Sequence, residues 1–298
     1  MLEPKGIIPA VITPFTADDR LDETATRQLA RRLLAAGVHG LFCLGTNGEF
    51  FAMSLEEKSR FVEIIVEEAN GSVPVYAGAG ANSTRETVQL CETFEALGVD
   101  ALSVITPYFL PLSQAELTAH YRSVAAGTSL PVLLYNIPQR TGVAISPDTA
   151  ERLAAVPNIV GIKDSSGSFE TILQFLERSG PGFSVLAGTD SLILWTLLAG
   201  GSGAIAATAN LFPELGVSIY DGFTAGKLEA AMAAQDKLRA FRGANQSLGT
   251  LPSVLKEAMN YLGYPAGQPR APVAPLDEIS RQSLYAILHT YSGQEAKS

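Results

Sequence analysis

The sequence predicts an α/β chain built as a (β/α)8 TIM barrel with a C-terminal helical extension, and three observations carry that expectation. Short apolar runs alternate with longer segments of helical periodicity. The runs are apolar throughout rather than on alternate residues, as in a parallel sheet covered on both faces. The alternation repeats eight times and then stops, which is the count of a closed barrel rather than an open sheet. With 298 residues, 47% of them apolar and 17% charged, the chain can fill one large core, and disorder is excluded.

In chain order, a strand over 7–11 precedes a helix over 23–36, and a strand over 40–44 precedes a helix over 55–69. The next pairs are 73–77 with 84–97, 101–105 with 114–126, and 132–135 with 147–155. Three more follow: 159–163 with 169–178, 184–187 with 191–199, and 204–207 with 213–225. Gly37, Gly71, Gly98 and Gly180 fall just past helix ends, where a C-cap glycine belongs. Ser54, Ser83 and Ser113 stand before helix starts as N-caps, and Ser54 with Glu57 and Ser83 with Glu86 fit the capping-box spacing. The barrel is thus expected over 1–226. The remainder, 227–298, has no strand pattern and is expected as a C-terminal helical domain of two or three helices, with a Pro-rich link at 265–275 and a frayed end from Ser292 and Gly293.

Composition removes several function classes. Lys and Arg total 21 against 30 Asp and Glu, a net charge of −9, so no basic footprint for nucleic acid exists. The apolar stretch 191–210 has the length of a membrane span, but Gly200, Gly201 and Gly203 break its middle and Asp190 stands at its head. A buried helix, a turn and a buried strand fit it better, so no membrane partner is expected. Residues 1–5 lack the basic start and apolar run of a signal peptide, and Cys43 and Cys91 each lie in a core-like segment. Reduced thiols in a cytoplasmic protein are expected. His39, His120 and His289 show no metal-ligand spacing, the stretch 78–83 lacks the last glycine of a dinucleotide fingerprint, and 200–203 lacks the lysine of a P-loop. Neither a metal nor a nucleotide cofactor is expected.

In a parallel barrel, chemistry gathers on the loops after the strands. Four such ends carry polar residues: Gly45-Thr46-Asn47-Gly48-Glu49, Tyr135 through Gly142, Lys163-Asp164-Ser165 and Gly188-Thr189-Asp190. Lys163 closes a strand whose preceding residues are Ile159, Val160, Gly161 and Ile162. A lysine aimed into an apolar barrel mouth loses its hydration, which favours the free amine and lets it add to a ketone as a Schiff base. A rim lysine paired with Asp164 fits the same position. Tyr135, at the end of the neighbouring strand, offers a hydroxyl for proton transfer, or is a half-buried core tyrosine. Thr46 and Asn47 lie on a glycine-flanked turn able to hold a carboxylate through backbone N–H groups, or simply on a tight turn. Arg140 offers a fork for a second carboxylate, or is a solvated surface arginine.

Together, Gly45-Thr46-Asn47-Gly48-Glu49, Thr106-Pro107-Tyr108, Tyr135-Asn136-Ile137-Pro138 and Gly161-Ile162-Lys163-Asp164, in this order, resemble the dihydrodipicolinate synthase and N-acetylneuraminate lyase family. The resemblance spans the barrel and the helical tail. It implies a class I lyase without a cofactor, a homo-oligomer (tetramer or dimer), and pyruvate or another 2-oxo acid with an aldehyde as substrates. Lys163 would be the Schiff-base lysine, Tyr135 the proton-transfer tyrosine and Thr46 its hydroxyl partner. Thr46 and the backbone of Asn47 would hold the pyruvate carboxylate. Ile205 would present its backbone carbonyl near the lysine, and Gly188 would line the substrate site.

Arg140 is similar to the residue with which the synthases of lysine biosynthesis clamp the carboxylate of aspartate semialdehyde. This makes condensation of pyruvate with aspartate semialdehyde the leading expectation. Two departures point elsewhere: Phe109 stands where the synthases carry a second tyrosine that reaches a neighbouring subunit, and Asn47 replaces a threonine. A 2-keto-3-deoxy-sugar-acid aldolase or dehydratase is therefore the alternative, and a catalytically silent 2-oxo acid sensor is the reading from another class. Asn82, Glu86 and Tyr108 match the allosteric lysine pocket of many synthases, but Phe50, Leu55 and Lys58 depart from it, so insensitivity to lysine is expected.

Overall fold

The computed structural model describes residues 2–245 and 247–295. Eight parallel strands run in the sheet order β1-β8-β7-β6-β5-β4-β3-β2. They are β1 Gly6–Pro9, β2 Leu41–Cys43, β3 Val75–Gly78, β4 Ala101–Ile105, β5 Val132–Asn136, β6 Ile159–Asp164, β7 Ser184–Ala187 and β8 Gly203–Ala206. A bridge between Ala10 and Phe42, with the Val11 N–H donating to the Phe42 carbonyl at 2.8 Å, closes the sheet between β1 and β2. This is the expected (β/α)8 barrel. Because side chains alternate along a strand, Ile8, Phe42, Tyr76, Leu133, Leu186 and Ile205 fill the interior. Leu41, Val75, Leu102, Leu134 and Ile162 pack outward beneath the helices.

The helices between the strands are α1 Glu23–Ala35, α2 Leu55–Ala69, α3 Thr84–Ala96, α4 Gln114–Ala126, α5 Pro138–Thr141, α6 Pro147–Ala154, α7 Phe169–Ser179, α8 Ile193–Leu198 and α9 Pro213–Thr224. Ser54 and Glu57 form the reciprocal capping box, and Ser113 with Glu116 forms a second. Ser83 caps the Glu86 N–H, but the reciprocal bond expected there is absent among the described residues. Element ends differ where side chains outcompete the ladder. The strand expected over 7–11 ends at Pro9; beyond it the Val11 N–H pairs across to the Phe42 carbonyl of β2, and the Asn210 side chain takes the Ile12 N–H at 3.1 Å. The strand expected over 204–207 ends at Ala206, because Asp190 takes the N–H groups of Ala207 and Thr208 at 3.2 and 2.7 Å. Asp190 also opens a 3₁₀ turn that shortens the helix expected over 191–199. None of the described helices is long and apolar enough to cross a membrane. Cys43 and Cys91 are buried and free, and burial pushes each thiol up to about 12.

Among the described residues, three helices follow the barrel: α10 Leu228–Asn245, α11 Leu251–Tyr261 and α12 Glu278–Glu295. Of the end expected to fray, Ser292 and Gly293 lie within α12, and 296–298 fall outside the described residues. Two polar links tie these helices to the barrel mouth. Gln235 on α10 donates to the Asp190 carbonyl at 3.0 Å and accepts from the Leu194 N–H at 2.8 Å. Lys256 on α11 pairs with Glu49 at 2.6 Å, both fully buried, and also donates to the Gln268 carbonyl. Glu49 in turn accepts from the Arg270 N–H at 2.8 Å, and the Arg270 guanidinium reaches Glu57 and Asp19. Burial lowers the Lys256 ammonium to about 8 against the pull of Glu49.

Removing one member of a fully buried pair strands the other charge. Lys256→Ala should therefore cost about 3–5 kcal/mol, whereas replacing both partners, Glu49→Gln with Lys256→Met, should cost markedly less. Urea unfolding of the two variants against the parent measures the difference; equal losses would show that packing, not the stranded carboxylate, dominates.

Candidate active site

The turn after β2 is held in a shape that its residues would not choose alone. Leu44 and Glu49, both non-glycine, take left-handed φ values of 59° and 55° on either side of the 3₁₀ turn Thr46–Gly48. Such residues cost on the order of 1–3 kcal/mol each and persist only where neighbours enforce them. Here the Thr13 hydroxyl donates to the Gly48 carbonyl at 2.7 Å, and Lys256 and the Arg270 N–H fix Glu49. At Gly78 on β3, a Cβ would stand 2.2 Å from the Leu44 carbonyl oxygen, so only a bare backbone leaves room for the turn. The result presents Thr46 and Asn47 to the barrel mouth.

The register of β5 against β6 sets Tyr135 opposite Lys163 and Asn136 opposite Asp164. Alternation then sends the first pair inward and the second outward. Asp164 accepts from Asn136 Nδ2 at 2.7 Å and from the Ser166 hydroxyl at 2.6 Å, and Asn136 Oδ1 accepts from the Ile145 N–H at 3.0 Å. Burial raises the Asp164 carboxyl above the usual range, with these hydrogen bonds opposing. Asp164 thus braces the strand ends and is not the partner of Lys163.

Lys163 is 4% exposed, and among the described residues no carboxylate pairs with it. Its Nζ lies 4.0 Å from the centre of the Tyr135 ring and 4.8 Å from that of Phe42. The Tyr135 hydroxyl is 3.3 Å from Thr46 Oγ1, which joins β5, the neighbour of the lysine strand, to the glycine-flanked turn. Ile205 lies on the barrel wall, and Gly188 donates its N–H to the Asp164 carbonyl at 2.7 Å. A Cβ on Gly188 would stand 2.0 Å from the Ser165 hydroxyl, so a side chain there would displace that group from the mouth.

One cavity of about 560 Å³ brings together all seven residues singled out in the sequence: Thr46, Asn47, Tyr135, Arg140, Lys163, Gly188 and Ile205. Its rim adds Gln139, Ser165, Ser166, Thr189 and Ser191, all on the polar strand-end segments or next to them. It also adds Arg242, Thr250 and Leu251 from the appended helices, which sequence reasoning missed, since nothing in their spacing indicates what they face. No three His, Cys, Asp or Glu side chains gather as metal ligands among the described residues. Phe109 lies outside the cavity lining and is 87% exposed, with Leu110 beside it at 63%. Behind them, the Tyr108 ring packs 6.3 Å from Phe50, whose ring lies 5.9 Å from Lys58 Nζ.

Residues 3–291 match the model of the dihydrodipicolinate synthetase family. A 4-hydroxy-tetrahydrodipicolinate synthase of Methanopyrus kandleri is 40% identical over 282 residues, 94% of each chain. An uncharacterized DapA-like lyase of Halobacterium salinarum is 40% identical over 95% of this chain and 92% of its own. Among solved structures, a prophage protein of the dihydrodipicolinic acid synthase family from E. coli K12, in complex with pyruvate, superposes with a TM-score of 0.93 at 35% identity, covering 97% of this chain and 98% of that one. Fold, strand-end residues and whole-length similarity agree, and the chain belongs to the dihydrodipicolinate synthetase family.

Proposed function

We propose that the protein is a Schiff-base lyase that joins pyruvate to an aldehyde, with 4-hydroxy-tetrahydrodipicolinate synthase, acting on aspartate semialdehyde, as its activity. The observation that carries this reading is a buried lysine amine with no carboxylate partner among the described residues, flanked by a hydroxyl pair 3.3 Å apart at the mouth of the barrel. The Lys163 amine adds to C2 of pyruvate, and loss of water leaves an iminium. That cation sits beside the faces of Tyr135 and Phe42, whose quadrupoles favour positive charge. Tyr135, oriented by Thr46, carries protons to and from the carbinolamine oxygen. The pyruvate carboxylate rests on Thr46 and the Asn47 backbone, and Ile205 lines the same cavity as the lysine. The iminium withdraws electrons, so C3 loses a proton, becomes an enamine carbon and attacks the aldehyde.

Arg140, at the last turn of α5, offers its guanidinium to the aldehyde's carboxylate. The hydroxyls of Ser165, Thr189 and Ser191 at the rim favour a second reading within the same chemistry, cleavage or dehydration of a 2-keto-3-deoxy sugar acid. Assembly as a homo-oligomer is part of the proposal. Phe109, Leu110, Leu55 and Phe51 are exposed apolar side chains, and Phe51 also lines the cavity, so a second copy would cover the face next to the site.

Borohydride reduction in the presence of pyruvate should fix one pyruvate-derived adduct on the Lys163 peptide, read by mass spectrometry; Lys163→Ala should lose both the adduct and turnover. An adduct without turnover of aspartate semialdehyde or of any keto-deoxy sugar acid would favour the sensor instead. Tyr135→Phe should keep the lysine but slow adduct formation and kcat by about 10²-fold or more, the worth of a positioned proton donor. Because Phe50 and Lys58 occupy the region behind Tyr108, millimolar lysine should leave the initial rate unchanged. Inhibition in that range would show that the pocket is intact.

A further inference from the structure

We infer that Arg242, on α10, is a specificity-determining residue for the second substrate, where it joins Arg140 in receiving the carboxylate remote from the reacting carbon. The inference rests on the proposed Schiff-base chemistry and names what the outer half of that site selects.

Arg242 follows the buried stripe of α10 formed by Ala231, Gln235 and Leu238, and it lies seven residues, two helical turns, after Gln235. Since Gln235 is bonded to the Asp190 carbonyl at the end of the β7 segment, the same helix face carries Arg242 to the barrel mouth, where it lines the cavity. Its surroundings set it apart from the other partly or fully buried arginines of the described residues. Arg27, Arg32, Arg60, Arg270 and Arg281 are partly or fully buried, and each reaches a carboxylate or a backbone carbonyl. Arg242 is partly buried too, yet no hydrogen bond or ion pair satisfies its guanidinium among the described residues. A fork of five donors held half out of water without a partner is suited to an incoming anion.

The charge of the cavity supports this. In a protein of net charge −9, the lining contains Lys163, Arg140 and Arg242 but neither Asp nor Glu. The first turn of α11, Thr250 through Pro252, faces the same space, so the positive end of that helix adds to the field. Lys163 becomes the iminium and Arg140 faces the aldehyde at the β5 side. Arg242 adds a second cationic contact to the same carboxylate from the helical side, which favours an acidic aldehyde and gives nothing to an uncharged one.

The test uses the full-length enzyme loaded with pyruvate and titrated calorimetrically with succinate, a four-carbon dicarboxylate, or with its uncharged diamide. The loaded parent should bind succinate and not the diamide. Arg242→Gln should weaken succinate binding by about tenfold or more, the usual worth of a charge-assisted contact. Arg242→Lys should restore most of the loss, and KM for aspartate semialdehyde should rise more than kcat falls. Borohydride trapping of pyruvate should be unchanged in both variants. Equal succinate affinity in parent and Arg242→Gln, or no succinate binding by the loaded parent, overturns the assignment. Failure of the parent to trap pyruvate at all overturns the Schiff-base reading itself and is seen before any succinate is added.

Discussion

The pairing of β5 with β6 is the constraint on which the site depends. A parallel ladder fixes which residues stand abreast, and the pleat fixes which of them look inward. With Tyr135 beside Lys163 and Asn136 beside Asp164, one register separates a cation and a phenol inside the barrel from a carboxylate and an amide outside it. A slip of one residue would exchange the two sets, putting the carboxylate in the mouth and the amine under the helices. Hydrogen bonds from Asn136, Ser166 and the Ile145 N–H on the outer side hold that register at the point where the ladder ends.

A second constraint ties the mouth to the appended helices. The strained turn carrying Thr46 and Asn47 is fixed at Glu49 by Lys256, and the segment after β7 is fixed at Asp190 by Gln235. Both contacts are buried and polar, and both link residues on either side of residue 227, where the helical segment was expected to start. Their directionality favours one placement of α10 and α11 over the many that apolar packing alone would tolerate.

The barrel was legible because its signals are local. Doubly buried strands, serine caps and post-helix glycines each announce themselves within a few residues, and Lys163 stands out as a cation ending an apolar run. What could not be read depends on partners far along the chain. Asp190 shortens a strand by hydrogen bonds to Ala207 and Thr208 and a helix by opening a 3₁₀ turn, which no periodicity records. Glu49 belongs to a visible motif, but its partner Lys256 lies on a helix more than two hundred residues later. Arg242 was missed for the same reason: helical spacing says which face of α10 it shares with Gln235 and Leu238, but not that this face overlooks a cavity.

The cavity wall comes from two sources, with strand ends below and the α10–α11 region above. Lys163, Tyr135 and Thr46 are locked to one another by the ladder and by a hydroxyl contact, so a change in any of them disturbs all three. Arg242, Thr250 and Leu251 have no such bonds to that trio. Evolution can therefore retune the upper wall by single replacements while the lower wall stays intact, and relatives sharing this scaffold can diverge in the partner they accept without reinventing the chemistry beneath it.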